Sequence, residues 1–315
     1  MRTIEEHYLK NLADNQQLIN NGYIIIPFLN QSEIEHLTYT YKKYHAHTPE
    51  GLYATSHNAN LHIRKEISSI IANTFTPHIN NNFINCTALG GSYIVKTPGQ
   101  KGILLPHQDW TLVDETKARS FNVWVPLVDT SPYNGGMYIL EKSHTHFAKT
   151  YRGYNIPSIM DGLYDLAEQY MTPLYIKAGE ALIYDHRLVH SSPINQSNNI
   201  RIAIAFGVIP NNTPMIYCVG NKNNIDIYQS NVDFFFNYNP EEAPQRLNKI
   251  KTIANSMPHL TKERFISLYQ KNMFNTLALS PTFKFIILLG IIGFLFVYGS
   301  KIALTNRLAS NKHSI

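Results

Sequence analysis

Two side chains that commonly bind metals stand two positions apart in the segment Pro106-His107-Gln108-Asp109-Trp110. Residues i and i+2 of an extended strand point to the same face, so the His107 imidazole and the Asp109 carboxylate can reach one ion. Further along the chain, His190 supplies a second imidazole. Two imidazoles and one carboxylate on one face of a metal are the ligands of non-haem Fe(II) oxygenases. The sequence therefore predicts a catalytic Fe(II) site formed by His107, Asp109 and His190.

Each of these residues also has an ordinary structural interpretation. An H-x-D triplet alone is a weak signal, because it arises often by chance in a chain with this many His and Asp residues. His190 could be a core histidine, and Arg201 could form a structural salt bridge. His186 would be an alternative ligand in a helix, but the apolar run before it favours a strand. Composition and spacing alone leave these alternatives open.

Two further His pairs have a metal-like spacing. His45 and His47 lie at the end of a predicted helix with no carboxylate nearby, so a ligand role is disfavoured. His144 and His146 are interpreted as loop residues near the mouth of the site.

The composition is that of a mid-sized, β-rich chain. The 315 residues suit one large domain with appendages or two small ones, and the 20 Tyr and 15 Phe favour strands. A net charge of +5 without a basic stripe along the main body argues against a nucleic-acid partner. Cys86 and Cys218 form no C-x-x-C motif and fit a reducing compartment, and the N-terminus has no secretory signal.

Short strands with a period of two must position the candidate ligands. Helices are predicted at Ile4–Ile19, Ser32–Tyr44 and Arg64–Phe75, the second with Ser32 as its cap and Glu35 completing a capping box. The predicted strands are Tyr23–Ile26, Ser92–Lys96, Gly102–Leu105, Phe121–Val128, Met137–Leu140, Leu174–Ile176, Ala181–Tyr184 and Ile200–Ile209. Many short strands after N-terminal helices indicate a mainly β fold with flanking helices, in the form of a jelly-roll β-sandwich.

The same patterns suggest a domain division. Residues 1–240 are expected to form the domain that holds the site, with its core at about 21–210. Within it, Tyr151–Met171 is a long insertion between core strands and is expected to form part of a lid. Residues 241–282 are basic and expected to be a helical juxtamembrane segment.

The segment 283–300 is apolar, with Lys284 as a single charge at its edge. At about 1.5 Å per residue a helix of this length just crosses a bilayer, and none of its faces is polar enough to meet water. The sequence therefore predicts a single-pass C-terminal transmembrane helix, followed by a short basic tail at 301–315. A buried or dimerising helix is the alternative. Flanking basic residues are balanced, and the missing signal places the catalytic domain on the cytoplasmic side.

A longer pattern surrounds His190. Ser192, Asn195 and Arg201 follow this imidazole at offsets of two, five and eleven residues. Together with His107-Gln108-Asp109, this pattern resembles the phytanoyl-CoA dioxygenase family of Fe(II)/2-oxoglutarate oxygenases. The resemblance begins near residue 22 and is clearest over 92–209.

The resemblance implies a double-stranded β-helix, the cupin-like jelly roll, and a hydroxylation that uses Fe(II), 2-oxoglutarate and O2. The residues that it implies are His107, Asp109 and His190 as iron ligands, Arg201 and Ser192 for the distal carboxylate of 2-oxoglutarate, and Gln108 and Trp124 in the cosubstrate pocket. An Arg suits this role because its planar fork binds a carboxylate through two donors.

Some of these implied roles are weaker than others. Gln108 faces away from the side that His107 and Asp109 share if the strand is regular. Trp124 could equally be packed in the core. Glu141-Lys142 stands where the family usually has Pro-Gly, which would alter a loop beside the site without touching a ligand.

These features predict a membrane-anchored hydroxylase that acts on a small substrate. The expectation that this substrate is lipid-like or membrane-associated rests only on the predicted anchor. Asp109 favours oxygen transfer, since related halogenases replace this carboxylate with a small residue. Desaturation and epimerisation use the same cofactors and stay open. The alternative from another class is a non-catalytic metal- or lipid-binding jelly-roll module tethered to a membrane.

Overall fold

A computed structural model of the chain describes residues 7–45, 47–221, 223–255 and 260–269. The chain divides into two compact units, residues 1–260 and residues 261–315. The described part of the second unit is a short helix over 262–269. The first unit contains the sheets and all candidate site residues. The domain boundary expected at residue 240 stays a prediction.

The strands of the first unit are numbered in chain order. They are β1 (Tyr23–Pro27), β2 (Leu52–Ala54), β3 (Cys86–Lys96), β4 (Leu104–His107), β5 (Phe121–Pro126), β6 (Tyr138–Ile139), β7 (Thr172–Pro173), β8 (Glu180–Asp185), β9 (His190–Ser192), β10 (Arg201–Pro210), β11 (Met215–Asn221), β12 (Asn224–Ser230) and β13 (Asn248–Ala254). The α-helices are α1 (Leu12–Asn21), α2 (Gln31–Tyr44), α3 (Leu61–Asn82), α4 (Ser143–His146), α5 (Tyr164–Glu168), α6 (Val232–Asn237) and α7 (Ala243–Arg246).

Among the described residues the strands form three antiparallel sheets. The six-stranded sheet has the order β1-β8-β5-β10-β3-β2, the four-stranded sheet β4-β9-β6-β7, and the three-stranded sheet β11-β12-β13. Most neighbours in the two larger sheets are far apart in the chain, as when β10 pairs with β5 and β9 with β4. Mainly antiparallel sheets with flanking helices are consistent with the predicted jelly roll.

The two faces of the six-stranded sheet bury different sets of side chains. Val123 and Val125 of β5 and Ile183 of β8 belong to the core under helices α1, α2 and α3. Their neighbours in sequence, Trp124 and Tyr184, belong to a second core that includes Ile139 of the four-stranded sheet. This alternation follows from the period of two along each strand. Consecutive residues of β5 and β8 therefore face the helices and the second core in turn.

Local sequence signals fix the ends of the N-terminal helices. Asn11 caps α1, and Gly22 ends it with φ 83°, a left-handed conformation that glycine adopts without strain. Helix α2 begins one residue earlier than predicted, because Asn30 caps it and Glu33 completes the capping box. The pair Ser32 and Glu35 has the same spacing but lies inside the helix, so that part of the prediction was wrong.

The C-terminal part of the first unit differs from the expectation of a basic helical segment. Residues 248–254 form β13, which pairs with β12 at the edge of the three-stranded sheet. Alternating Lys249, Ile250 and Lys251 explains the strand, since exposed lysines are common on sheet edges.

The membrane prediction requires a correction. In the parts of the chain that the structure describes, no helix combines the length and the apolar character needed to cross a bilayer. The proposed span, 283–300, and the tail, 301–315, lie outside the described residues. The structure therefore does not support the transmembrane helix, the single-pass anchor or the membrane localisation predicted from hydropathy. Only that anchor motivated a lipid-like substrate.

Candidate metal centre

The three predicted metal ligands lie together where β4 and β9 pair. His107 and His190 are direct partners in this antiparallel ladder, and their ring centroids are 4.3 Å apart. Asp109 follows the end of β4 by two residues. Its Oδ1 lies 3.9 Å from Nε2 of His107 and 3.7 Å from Nε2 of His190. One ligand atom from each residue falls within 4.8 Å of the others, a group that could hold a metal ion.

Backbone carbonyls orient both imidazoles. Nδ1 of His107 lies 2.8 Å from the carbonyl oxygen of Leu105, and Nδ1 of His190 lies 3.0 Å from that of Leu188. A carbonyl oxygen only accepts, so each Nδ1 is the donor of this bond and each Nε2 is the ring nitrogen that faces the site. Metal-binding histidines are typically held through the second ring nitrogen in this way.

Two donors hold the outer oxygen of the carboxylate. The Tyr184 hydroxyl donates to Oδ2 of Asp109 at 3.0 Å, and the Asn122 amide donates to the same oxygen at 3.2 Å. Asn122 and Tyr184 are direct partners across β5 and β8. These bonds leave Oδ1 directed toward the two imidazoles. The sequence interpretation missed both residues, because their role depends on strand pairing.

The electrostatics favour the ionisation states that bind a metal. Burial, followed by the neighbouring His190, lowers the pKa of His107 to about 4. Burial alone would raise the pKa of Asp109, but His190, His186 and His107 together hold it below its ordinary value. At neutral pH the site therefore presents a neutral His107 imidazole and an ionised Asp109, the forms that coordinate cations.

The group opens into a cavity of about 350 Å³, which we call the metal cavity. Its walls contain six of the seven predicted site residues, namely His107, Asp109, Trp124, His190, Ser192 and Arg201. These six residues come from β4 and the segment just after it, from β5, from β9 and from β10, which the fold brings together around one cavity.

Arg201 is the main cation of this cavity. It is 2% exposed, and its guanidinium carbon lies 5.5 Å from the centre of the Trp124 ring. Among the described residues it donates one hydrogen bond, to the carbonyl oxygen of Ile94 at 3.0 Å, and its buried Nε has no partner. Burial lowers the pKa of Arg201 to about 10, so it stays charged at neutral pH. A buried, under-bonded guanidinium is a site for an anion.

Ser192 is placed beside this cation but its hydroxyl is already engaged. Its Oγ donates to the carbonyl oxygen of Gly135 at 2.7 Å and accepts from Nζ of Lys96 at 2.7 Å. Lys96 also donates to the carbonyl oxygens of Ser192 and Pro193. Ser192 therefore shapes the wall rather than offering a free donor. Lys96, fully buried, is a third residue that the sequence interpretation did not single out.

Gln108 does not line the metal cavity. Its side-chain amide donates to the carbonyl oxygen of Arg187 at 2.5 Å and accepts from the Thr150 hydroxyl at 2.9 Å. The alternation that directs His107 and Asp109 to one face directs Gln108 to the other. These contacts do not support the cosubstrate-pocket role that the resemblance implied for Gln108.

The other candidate histidines have structural surroundings. His186 bonds through Nδ1 to the Ser120 hydroxyl at 2.8 Å, with its Nε2 4.0 Å from Oδ2 of Asp109. His45 is buried and stacks on Tyr41. His144 was expected in a loop at the mouth of the site, but it lies fully buried in α4.

A larger cavity of about 610 Å³ adjoins the first, and we call it the aromatic cavity. Ser56, His57 and Ala205 border both cavities. The remaining wall is rich in aromatic rings, with Trp110, Tyr217, Phe234, Phe235, Phe236 and Tyr238. The insertion Tyr151–Met171, expected to form a lid, contributes none of the lining residues described for either cavity. Helix α6 supplies three of the aromatic rings, Phe234, Phe235 and Phe236.

Comparison with known proteins agrees with this site. The family model for phytanoyl-CoA dioxygenase matches residues 19–203, which is more than half of the chain. The chain belongs to the phytanoyl-CoA dioxygenase family. The matched range contains every candidate ligand, together with Arg201, and confirms the resemblance inferred from the motifs around His107 and His190.

Similarity to individual proteins is more limited. The chain is 28% identical over 148 residues to "phytanoyl-CoA dioxygenase domain-containing protein 1" of Danio rerio, covering 43% of this chain and 51% of that relative. It is 30% identical over 126 residues to "phytanoyl-CoA dioxygenase 1" of Oryza sativa subsp. japonica, covering 37% and 42%. The chain thus spans about half the length of the curated relatives it matches.

A solved structure shares the fold. The non-heme alpha-ketoglutarate-dependent carbocyclase SnoK from nogalamycin biosynthesis superposes with a TM-score of 0.50 at 16% identity, covering 65% of this chain and 86% of that protein. This likeness supports the arrangement of sheets described above.

Proposed function

We propose that this chain is an Fe(II)- and 2-oxoglutarate-dependent dioxygenase that hydroxylates a small molecule. One observation carries the proposal. Oδ1 of Asp109 and Nε2 of His107 and His190 converge in the same cavity that holds the unpaired guanidinium of Arg201. Either feature alone would fit several functions. Together they suit a dicarboxylic keto acid, whose keto-acid end can bind a metal and whose distal carboxylate can bind a cation.

The side chains present fit such a metal. Two neutral imidazoles and one carboxylate are the donor set of non-haem Fe(II) oxygenases and leave open positions. Iron bound there would couple oxidative decarboxylation of 2-oxoglutarate by O2 to hydroxylation of a substrate C–H bond, with one oxygen atom in succinate and one in the product. Carbon dioxide is the remaining product.

The chain's own residues would bind and orient the reactants. Arg201 would hold the distal carboxylate of 2-oxoglutarate through charge-assisted hydrogen bonds, backed by the Trp124 ring. Tyr184 and Asn122 would keep Asp109 turned toward the ion. The buried walls of the metal cavity would exclude bulk water, which strengthens these interactions.

Family membership supports the reaction class, and the printed names of the two curated relatives agree with it. Their substrates are not transferred to this chain. A hydroxylation gives the product one more oxygen atom than the substrate. A desaturation or an epimerisation would use the same cofactors without that gain, so product mass separates the outcomes.

Succinate release tests the proposal directly. Purified full-length protein given Fe(II), 2-oxoglutarate and O2 is expected to release succinate slowly without substrate and faster with a small-molecule extract. His107→Ala and Arg201→Gln should abolish both signals. His47→Ala, at an exposed histidine that lines neither cavity, should not. Wild type and His107→Ala that are equally inert with extract would refute the enzyme and favour a non-catalytic binding module.

A further inference from the structure

We infer that the aromatic cavity binds a small molecule with a flat, apolar body and one anionic group, and that Arg64 is the partner of that group. The inference rests on the proposed function only in naming this molecule as the substrate. It specifies the substrate class from residues that lie outside the candidate metal centre and the metal cavity.

Arg64 is a buried cation without a counter-charge. It is 8% exposed and lines the aromatic cavity from α3. Its Nε donates to the carbonyl oxygen of Asn58 at 2.5 Å. Within the described residues its two terminal nitrogens make no hydrogen bond, and no carboxylate pairs with it, Glu241 of the same cavity included. Arginine is seldom this buried unless it is paired, so the cavity has room for an anion at this point.

The backbone around Arg64 fixes its position. Asn60 caps α3 and places Arg64 in its first turn. The bond to Asn58 ties the guanidinium to the short turn that precedes the helix. A guanidinium held through Nε keeps its remaining donors in one plane, which suits a carboxylate, sulfonate or phosphate group.

The same cavity is also lined by aromatic rings. Trp110 meets Tyr217 edge to face at 5.6 Å, and Tyr217 meets Phe234 at 5.0 Å. Gly90 belongs to the same lining, and a Cβ there would lie 2.9 Å from the Phe236 ring, so glycine allows that ring to approach. Ring faces and edges of this kind pack well against flat hydrocarbon.

The two cavities share a border, which connects the inference to chemistry. Ser56 and Ala205 line both of them, and Trp110 follows Asp109 directly in the chain. A molecule anchored at Arg64 can therefore extend its far end toward the candidate metal centre. The volume of about 610 Å³ lies in the range of ordinary small-molecule sites.

Binding of two fluorescent probes to metal-free full-length protein tests the inference. Anilinonaphthalene sulfonate has a flat apolar body and an anionic group, and phenylnaphthylamine has nearly the same body without the charge. Arg64→Gln is expected to weaken sulfonate binding on the order of tenfold, the effect of one charge-assisted hydrogen bond, and to leave phenylnaphthylamine binding unchanged. Arg64→Lys should keep most of the sulfonate affinity. Lys65→Gln, an exposed neighbour on the same helix, should keep all of it.

The outcomes separate cleanly. Equal sulfonate affinity in wild type and Arg64→Gln overturns the inference, as does an equal loss for both probes, which would indicate a disturbed cavity rather than a missing charge. Should Arg64→Gln fail to fold, Phe235→Ala must weaken both probes for the inference to stand. The assay contains neither iron nor 2-oxoglutarate. Failure of succinate release therefore leaves this result intact, and the reverse also holds.

Discussion

Lys96 and Arg201 lie directly opposite each other across β3 and β10, and both side chains are almost wholly buried. Like charges on facing strand positions repel each other. Burial, followed by the nearby Arg201, lowers the pKa of Lys96 to about 6. Within the described residues no carboxylate forms an ion pair with either of them. At neutral pH Lys96 is therefore mostly uncharged and Arg201 carries the positive charge of this part of the metal cavity, which is suited to gain an anion.

Replacing Arg201 should separate stability from ligand binding. Arg201→Met is expected to leave the free energy of unfolding of the ligand-free protein unchanged or raised by up to ~2 kcal/mol, since an apolar side chain of similar volume removes a buried charge. The same variant should lose the increase in melting temperature that 2-oxoglutarate gives the metal-loaded wild type. Thermal melts with and without 2-oxoglutarate, under anaerobic conditions, measure both effects. A clear loss of ligand-free stability would contradict this account.

The Tyr184 hydroxyl should matter for metal affinity more than for folding. Tyr184→Phe removes the donor to Oδ2 of Asp109 and keeps the ring in the core. We expect metal affinity to fall by about 10–100-fold, the usual effect of losing such a supporting bond. Competition with a chelator measures it. Tyr175→Phe, on an exposed tyrosine, is the control and should bind like wild type.

The pKa of His107 predicts how acid affects the metal-free protein. This imidazole titrates near 6.5 in the unfolded chain and near 4 in the folded one. Between these pH values the unfolded chain binds more protons, so the free energy of unfolding should fall as the pH falls from about 6.5 to about 4. Because the side chain is partly exposed, we expect its share to be on the order of 1–3 kcal/mol.

Urea unfolding at several pH values measures this contribution. Burial also lowers the pKa of His45, His144 and His186, so the comparison with His107→Gln isolates the one imidazole. The variant should show a shallower decline with acid than wild type. Identical slopes in the two proteins would show that His107 is not desolvated in the folded state.

A close approach between α1 and α4 predicts strong coupling of two residues. A Cβ on Gly22, at φ 83°, would lie 2.4 Å from Nδ1 of His144. Gly22→Ala is expected to cost about 3 kcal/mol, from backbone strain and overpacking together. Gly162→Ala, at φ 78° with nothing near the new methyl group, should cost only about 1 kcal/mol. Adding His144→Ala should relieve part of the first cost, and a double-mutant cycle in urea measures the coupling.

The sequence predicted those features that follow from local patterns. The period-two runs located β1, β5, β8 and β10 to within about two residues, and alternation correctly separated Gln108 from His107 and Asp109. The capping residue of α2 was misplaced because Asn30 and Ser32 each stand three residues before a glutamate. Local spacing cannot choose between two equivalent signals, and packing of the helix decides.

The parts of the site that were missed all depend on contacts between distant segments. Asn122 and Tyr184 reach Asp109 only because β5 pairs with β8 in one register. In the sequence, Arg64 looks like an ordinary polar residue of a helix. Only the folded structure shows that it is buried beside the aromatic cavity. Single-sequence patterns carry no information on such pairings. The hydropathy of 283–300 was likewise insufficient to establish a membrane span.

The chain has two tryptophans in 315 residues, and both stand at the candidate site. Trp110 lines the aromatic cavity and Trp124 the metal cavity. All indole emission of this protein therefore originates from the walls that a ligand would touch. Quenching or a wavelength shift of that emission should therefore report ligand binding without an added label, Trp110 for the aromatic cavity and Trp124 for the metal cavity.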